Sequence, residues 1–389
     1  MFYLLFDYYA AIGTSDNVYA IQMNAYTQFT EDFGLIKQSK GFCSRTAFDQ
    51  LFIAVDSSNM AKLVDENYNK KNMLNRQEFL QVLVKSAVMS YILPGRVNDM
   101  STAVYALFTM DIAQKADPSL FTPANKTRSE LYTEEVDKVL RKHEHSLRAI
   151  YDGARSIKGF KLDAGLANKI VSYSDWMEFM KRFNLIADDC TERDATLCFV
   201  WSRMRTIDEE NAKSRLKMQH LAFEDFLEAI CRLSGLLALP TDEDLSDFGH
   251  PHAGAFLLTM RNDNPEEYDK FVHLRQGVWG RPSWSDARKG TSGMLEQSSY
   301  WQPIERCIEH TIHLLIYIVQ GGVGSYAPTM EVSPKEVHAF LGTVMREDAP
   351  KSPKDAAKAQ KGAKEVVVKE GESVTGLAAR ASEEPSANV

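Results

Sequence analysis

Part of this chain occurs twice, and that constrains its fold more than anything else in the sequence. Tyr26, Phe29 and Phe33 of "YAIQMNAYTQFTEDFGLI" recur, at the same spacing, as Trp176, Phe179 and Phe183 of "SYSDWMEFMKRFNLI". Leu35-Ile36 fall opposite Leu185-Ile186, so the offset stays at 150 residues throughout this block. Further on, "SRTAFDQLFIAV" resembles "ERDATLCFVWS", with Arg45 opposite Arg193 and Ala47 opposite Ala195. "LNRQEFLQVLVK" then matches "LAFEDFLEAICR", setting Glu78 against Asp225 and Phe79 against Phe226. Three blocks in one order mean a duplicated unit, and the apolar positions in each recur at helical spacing. Two copies are too few for a solenoid, so the expectation is two packed helical units. Ser44 is placed to cap the second helix of the first unit, and Ser174 with Asp175 to open the first helix of the second.

The remaining chain reads as helix with interruptions. Pro94-Gly95 break the first unit from "VNDMSTAVYALFTMDIA", a helix, and "DPSLFTPANKT" is a loop. Arg128–Ala154 reads as one long amphipathic helix through Val136, Val139, Leu140, Leu147 and Ile150. After Pro240, "EDLSDFGHPHAGAF" reads as irregular and 276–293 as a Gly/Pro/Ser-rich loop. Tyr300–Gly322 is a strong helix, closed by Gly321-Gly322, and Ser333–Met345 a shorter one. From about 346 the Lys/Ala/Glu/Ser-rich sequence without aromatics reads as a disordered tail. The expectation is an all-α protein. Its parts are a first helical unit (1–93), a helical linker (94–165), a second unit (166–240), a C-terminal helical extension (241–345) and the tail (346–389).

The net charge of −8 argues against a broad nucleic-acid surface. The five cysteines have no paired spacing and read as reduced, buried thiols. "MFYLLFDYYAAIG" lacks a basic start and carries Asp7, so it reads as an amphipathic helix rather than a leader. Ile312–Gln320 is too short for a bilayer, which needs about 20 apolar residues. We therefore expect no membrane crossing.

The end of each third block has the outline of an EF-hand loop: an apolar residue, a carboxylate four residues later, then a helix. With Glu78 as the twelfth loop position, Asn67 is the first, Asn69 the third, Lys71 the fifth, Asn72 the sixth and Leu74 the eighth. Asn67, Asn69 and Glu78 are the candidate calcium ligands. Lys71, however, puts an ammonium where a ligand belongs, and Asn72 replaces the turn glycine. With Asp225 last, the second unit's ligand places hold Ser214, Leu216 and Met218. The first loops, "GLIKQSKGFCS" and "NLIADDCTER", lack alternating carboxylates as well. The expectation is helices kept and calcium lost, with Glu78 capping its helix or facing solvent.

Other chemistry is sparse. Cys307, His310 and His313 share one helix with Glu309, and two histidines three apart make a metal pair geometrically possible. The plainer reading is two histidines flanking an apolar stripe, because no further ligand cluster is visible in sequence. "GHPHAG" reads as a turn. "RKGTSG" lacks the preceding strand and first glycine of a phosphate loop, and neither GxSxG nor HExxH occurs. No small-molecule substrate or cofactor is indicated. Trp279, Arg281 and Trp284, in an irregular segment, either anchor a partner or fold back over the core. Lys351, Lys354, Lys358, Lys361 and Lys364 would share a helix face, either docking on an acidic polymer or simply solvating the tail.

"DWMEFMKRFNLI", "TERDATLCFVWSRM" and "LAFEDFLEAICRLSGL" in this order resemble the degenerate EF-hand-like domain of the tubulin polymerisation-promoting protein family. "LAFEDFLEAI" fits that family's last helix closely, and "LNRQEFLQVL" fits in part. The layout over about residues 19–240 is also similar to EF-hand-like proteins of cilia and flagella in protists and algae. The resemblance implies a non-enzymatic, structural, microtubule-associated role in the cytoskeleton of the axoneme, with tubulin or other axonemal proteins as partners. No tubulin-contact motif of the family carries over onto individual residues. A calcium-responsive adaptor is the alternative, and an enzyme built on Cys307, His310 and His313 a second one.

Overall fold

The computed structural model describes residues 2–12, 17–37, 40–60, 71–116, 124–155, 157, 170–203, 211, 217–275, 302–322 and 330–347. The chain is all-α. The strand it has among these residues is a two-residue antiparallel pairing of β1 (Ile21–Gln22) with β2 (Met73–Leu74).

That pairing shows how each repeat is built. In the first unit, α1 (Phe2–Ala11), β1 and α2 (Met23–Asp32) form one helix–loop–helix hairpin, and α3 (Arg45–Met60), β2 and α4 (Arg76–Ala87) form the other. The hairpins are tied loop to loop where Ile21 faces Leu74. Beyond α4, the π-helical turn Val88–Ile92 leads towards α5 (Met100–Ala106), which continues through a second π-helical stretch, Leu107–Ile112, into α6 (Ala113–Lys115). The second unit repeats the hairpin scheme with α9 (Glu144–Ala154), α10 (Tyr173–Arg182), α11 (Glu192–Ser202) and α12 (Phe223–Ser234). Here Val171 and Leu221 bridge the loops, each N–H donating to the other's carbonyl at 2.9 Å. Each unit therefore has four helices rather than three, because α1 and α9 supply a first helix. The stretches expected as first loops, 34–44 and 184–193, lie between hairpins, and the last two residues of the second already belong to α11.

The aromatic stripe packs the same way in both copies. Phe29 meets Phe79 edge-on at 5.4 Å between ring centroids, and Phe179 meets Phe226 edge-on at 5.7 Å. Tyr26 stacks on Phe29 as Trp176 stacks on Phe179. The added helices complete these cores: Tyr9 lies edge-on to Phe29 at 5.2 Å and Tyr151 edge-on to Phe226 at 5.4 Å. Complete burial of rings of this size is the main apolar driving force for each unit.

α1 also joins the two units. It packs on α11, and Asp7, 2 % exposed, sits between Arg76 of the first unit and Arg203 of the second, at 3.4 and 3.8 Å. Arg193 donates to the Tyr8 hydroxyl and lies over its ring.

Several helix boundaries differ from expectation for local reasons. The segment 128–154 is not one helix. It comprises α7 (Ala124–Leu131), α8 (Glu134–Lys142) and α9, because Thr133 caps α8 by accepting from Val136 N–H and His143 leaves helical geometry. α10 starts at Tyr173, capped by Ser172 rather than Ser174: Ser172 Oγ accepts from Asp175 N–H at 3.1 Å. The segment after Pro240 is helical, with α13 (Asp242–Asp247) capped by Thr241, then α14 (Ala253–Asp263) and α15 (Pro265–Arg275). Gly249, at φ +67°, makes the turn between the first two. α16 (Ile304–Gly322) runs through both of its terminal glycines, and α17 spans Pro334–Glu347.

Residues up to Val337 form one compact unit and those from His338 a second, represented among the described residues by the end of α17. Among the described residues, no helix is long and apolar enough to cross a membrane.

Candidate functional site

A calcium loop of this type would depend on its terminal carboxylate. Glu78 is completely buried. Its Oε2 accepts from Asn75 N–H at 2.9 Å, and Asn75 Oδ1 accepts from Glu78 N–H at 3.0 Å, a reciprocal cap on α4. Asp175 makes the same closure with Ser172 on α10, and Asp225 accepts from Ala222 N–H at 3.0 Å on α12. At three of the four loop ends the carboxylate is folded back onto the start of its own helix; the fourth, four residues after Ile21, is Ala25. Asn72 has φ +64° and so keeps the left-handed turn that EF-hand loops give to glycine, which asparagine tolerates. Its N–H donates to Asp56 Oδ2 at 3.1 Å. The loop's turn is thus held by protein groups. Of the candidate calcium ligands, Asn67 and Asn69 lie outside the described residues. So do the candidate partner-binding residues Trp279, Arg281 and Trp284 and the lysines 351, 354, 358, 361 and 364.

The burial that permits these caps also affects charge. Desolvation raises Asp225 to about 6, well above an ordinary carboxylate. A second buried carboxylate, Glu228, takes Arg128 Nε at 2.9 Å, Arg232 Nε at 3.0 Å and the Tyr132 hydroxyl at 2.7 Å. It ties α7 to α12 and has a structural character.

The main gathering of potential ligands lies elsewhere. His143 stands at the α8–α9 break, and Glu309 and His313 sit one helical turn apart on α16. One ligand atom from each of the three lies within 4.8 Å of the others, and all three are buried. The His143 and His313 rings are 5.3 Å apart, and His252, at the start of α14, is 5.0 Å from His313. α14 comes this close because Gly254 has no side chain: a Cβ there would stand 2.5 Å from Tyr317 Cβ and 2.7 Å from the His313 carbonyl. Glu309 Oε1 accepts from Lys142 Nζ at 2.6 Å, and Oε2 accepts from Arg306, which also forks onto Asp242. The neighbouring His143 imidazole, with Lys142 and Arg306 behind it, holds the Glu309 carboxyl well below the usual carboxylate range against the opposing effect of burial. Burial lowers His313 to about 3 and His310 to about 4, so both rings are neutral at pH 7.

The structure regroups the residues that sequence suggested here. Cys307 is buried, and burial pushes its thiol up to about 12, which leaves it protonated and a poor ligand. His310 is 6.5 Å from His313 between ring centroids and turns towards Asp242, 3.6 Å from Oδ1. The partner that converges with His313 and Glu309 is His143, remote in sequence and preceded by no motif. No family model matches this chain, and neither a curated protein nor a solved structure matches it.

Proposed function

We propose that this chain is a non-enzymatic structural component of the ciliary or flagellar axoneme, binding microtubule doublets or associated axonemal proteins through its two degenerate EF-hand-like units. The axonemal placement rests on the sequence resemblance over about residues 19–240. The observation that favours a static scaffold over a calcium switch is the closure of Glu78 onto Asn75. The carboxylate would have to give up the bond it accepts from Asn75 N–H, in a buried setting, before it could turn to an ion. The charged junction at Asp7 supports the same reading, since it holds the units to each other through groups of both.

Co-sedimentation with microtubules, using the full chain and a chain ending at 345, tests the proposal. Pelleting of the full chain is the expected result, and a loss on truncation would assign the contact to the tail lysines. Failure of both forms to pellet would count against direct tubulin binding. Calorimetry with calcium addresses the adaptor alternative, and the expected result is no heat and no change in melting temperature.

A further inference from the structure

His143, Glu309 and His313 offer two imidazoles and a carboxylate from separate parts of the chain, with one ligand atom of each inside a 4.8 Å span. Glu309 and His313 are four residues apart on α16, which puts both on one face of the helix. His143 is 4 % exposed, and its Nε2 faces Glu309 Oε1 at 3.7 Å, a charge contact too long for a well-formed hydrogen bond. A buried polar atom left in this way is costly, and a bound cation would satisfy it. Arg306 grips the far oxygen of Glu309 and is itself held by Asp242, the kind of outer support that orients a ligating carboxylate.

We propose that His143, Glu309 and His313 form a binding site for one divalent transition-metal ion of the zinc class, clasping the α8–α9 junction to α16. Two nitrogens and one oxygen suit zinc and its neighbours, whereas calcium and magnesium need oxygen shells. Three protein ligands leave a fourth position, and His252 stands beside His313 to fill it. The ammonium of Lys142 occupies the cation's place against Glu309, and its side chain is 63 % exposed, so it can swing into solvent as the ion enters. This site is independent of the EF-hand-like loops and of any microtubule contact.

Titration of the full chain, stripped of metal by a chelator, with Zn²⁺ tests the site. One ion per chain at micromolar or tighter affinity is expected, and Co²⁺ in its place should give the intense visible absorption of a four-coordinate ion. His313→Gln should weaken Zn²⁺ binding by at least about a hundredfold, since losing even an outer partner of a ligand costs roughly 10–100-fold. Lys142→Ala, at a side chain that is 63 % exposed, should bind Zn²⁺ more tightly than the wild type because the competing ammonium is gone. No uptake by the wild type, affinity unchanged in His313→Gln, or unchanged or weaker binding in Lys142→Ala would each overturn the proposal.

Discussion

The two helical units share a core and differ in how they treat its polar edges. In both, the stripe's middle phenylalanine meets the phenylalanine of the last helix edge-on, at 5.4 and 5.7 Å. At the residue before it in the stripe they part. Trp176 donates its indole N–H to the Ala195 carbonyl at 2.8 Å, whereas the Tyr26 hydroxyl is buried beside Ser86 without a well-formed hydrogen bond. At the loop ends, Glu78 closes a reciprocal cap with an asparagine, while Asp225 faces Ala222, which offers only its backbone N–H. The two copies thus share the shape of the apolar contact, which tolerates no void, and differ in their hydrogen bonding, since a polar group can be satisfied by more than one kind of partner.

If the apolar contact is what the repeat preserves, Phe79→Ala and Phe226→Ala should be equally damaging. Each is expected to cost about 3–5 kcal/mol in denaturant unfolding, and a difference larger than about 2 kcal/mol would mean the cores are not equivalent. Asp7→Ala tests what the first unit has and the second lacks, the helix that joins them. Leaving Arg76 and Arg203 facing each other in a buried junction should cost about 3 kcal/mol. It should also raise proteolysis between the units, and an unchanged digestion pattern would dismiss the junction as a clamp. Trp176→Phe removes a satisfied donor and leaves a gap, for an expected loss of about 2 kcal/mol.

Asp225→Asn sharpens the comparison through pH. The folded state holds this proton to about pH 6, above the ~3.9 of an unfolded aspartate. Its protonation therefore favours folding at low pH, and that contribution is lost as pH rises through 6. Asparagine can still accept from Ala222 N–H and never ionises. The variant should melt higher than the wild type at pH 7, with the gap closing by pH 4; a gap that grows on acidification would refute the assignment. The smallest effect belongs to Tyr26→Phe, which removes a buried hydroxyl held only by a loose contact with Ser86 and should change stability by less than about 1 kcal/mol. A loss as large as that of Trp176→Phe would show that the Tyr26–Ser86 contact is a full hydrogen bond.

The helices of the repeat and their stripes were legible because the information is local. Helical spacing of Tyr26, Phe29 and Phe33 sets a buried face regardless of what covers it, and the expectation that calcium geometry is lost rests on the charge of Lys71. The first helix of each unit was not legible as part of the repeat. α1 reads as an amphipathic helix and α9 as the end of a longer one, and only the loop pairings at Ile21–Leu74 and Val171–Leu221 give them their place. The histidine site divides the same way. Glu309 and His313 could be read as neighbours on one helix, but the sequence offered His310 and Cys307 on equal terms. The choice of His143 came from a helix break at the α8–α9 junction and from α8 packing against α16. By itself, then, the sequence determined periodicity, caps and the faces of helices, each set by interactions a few residues apart. Which faces meet, which carboxylates are spent on capping and which ligands converge were decided by tertiary packing, because those contacts join residues whose separation along the chain carries no pattern.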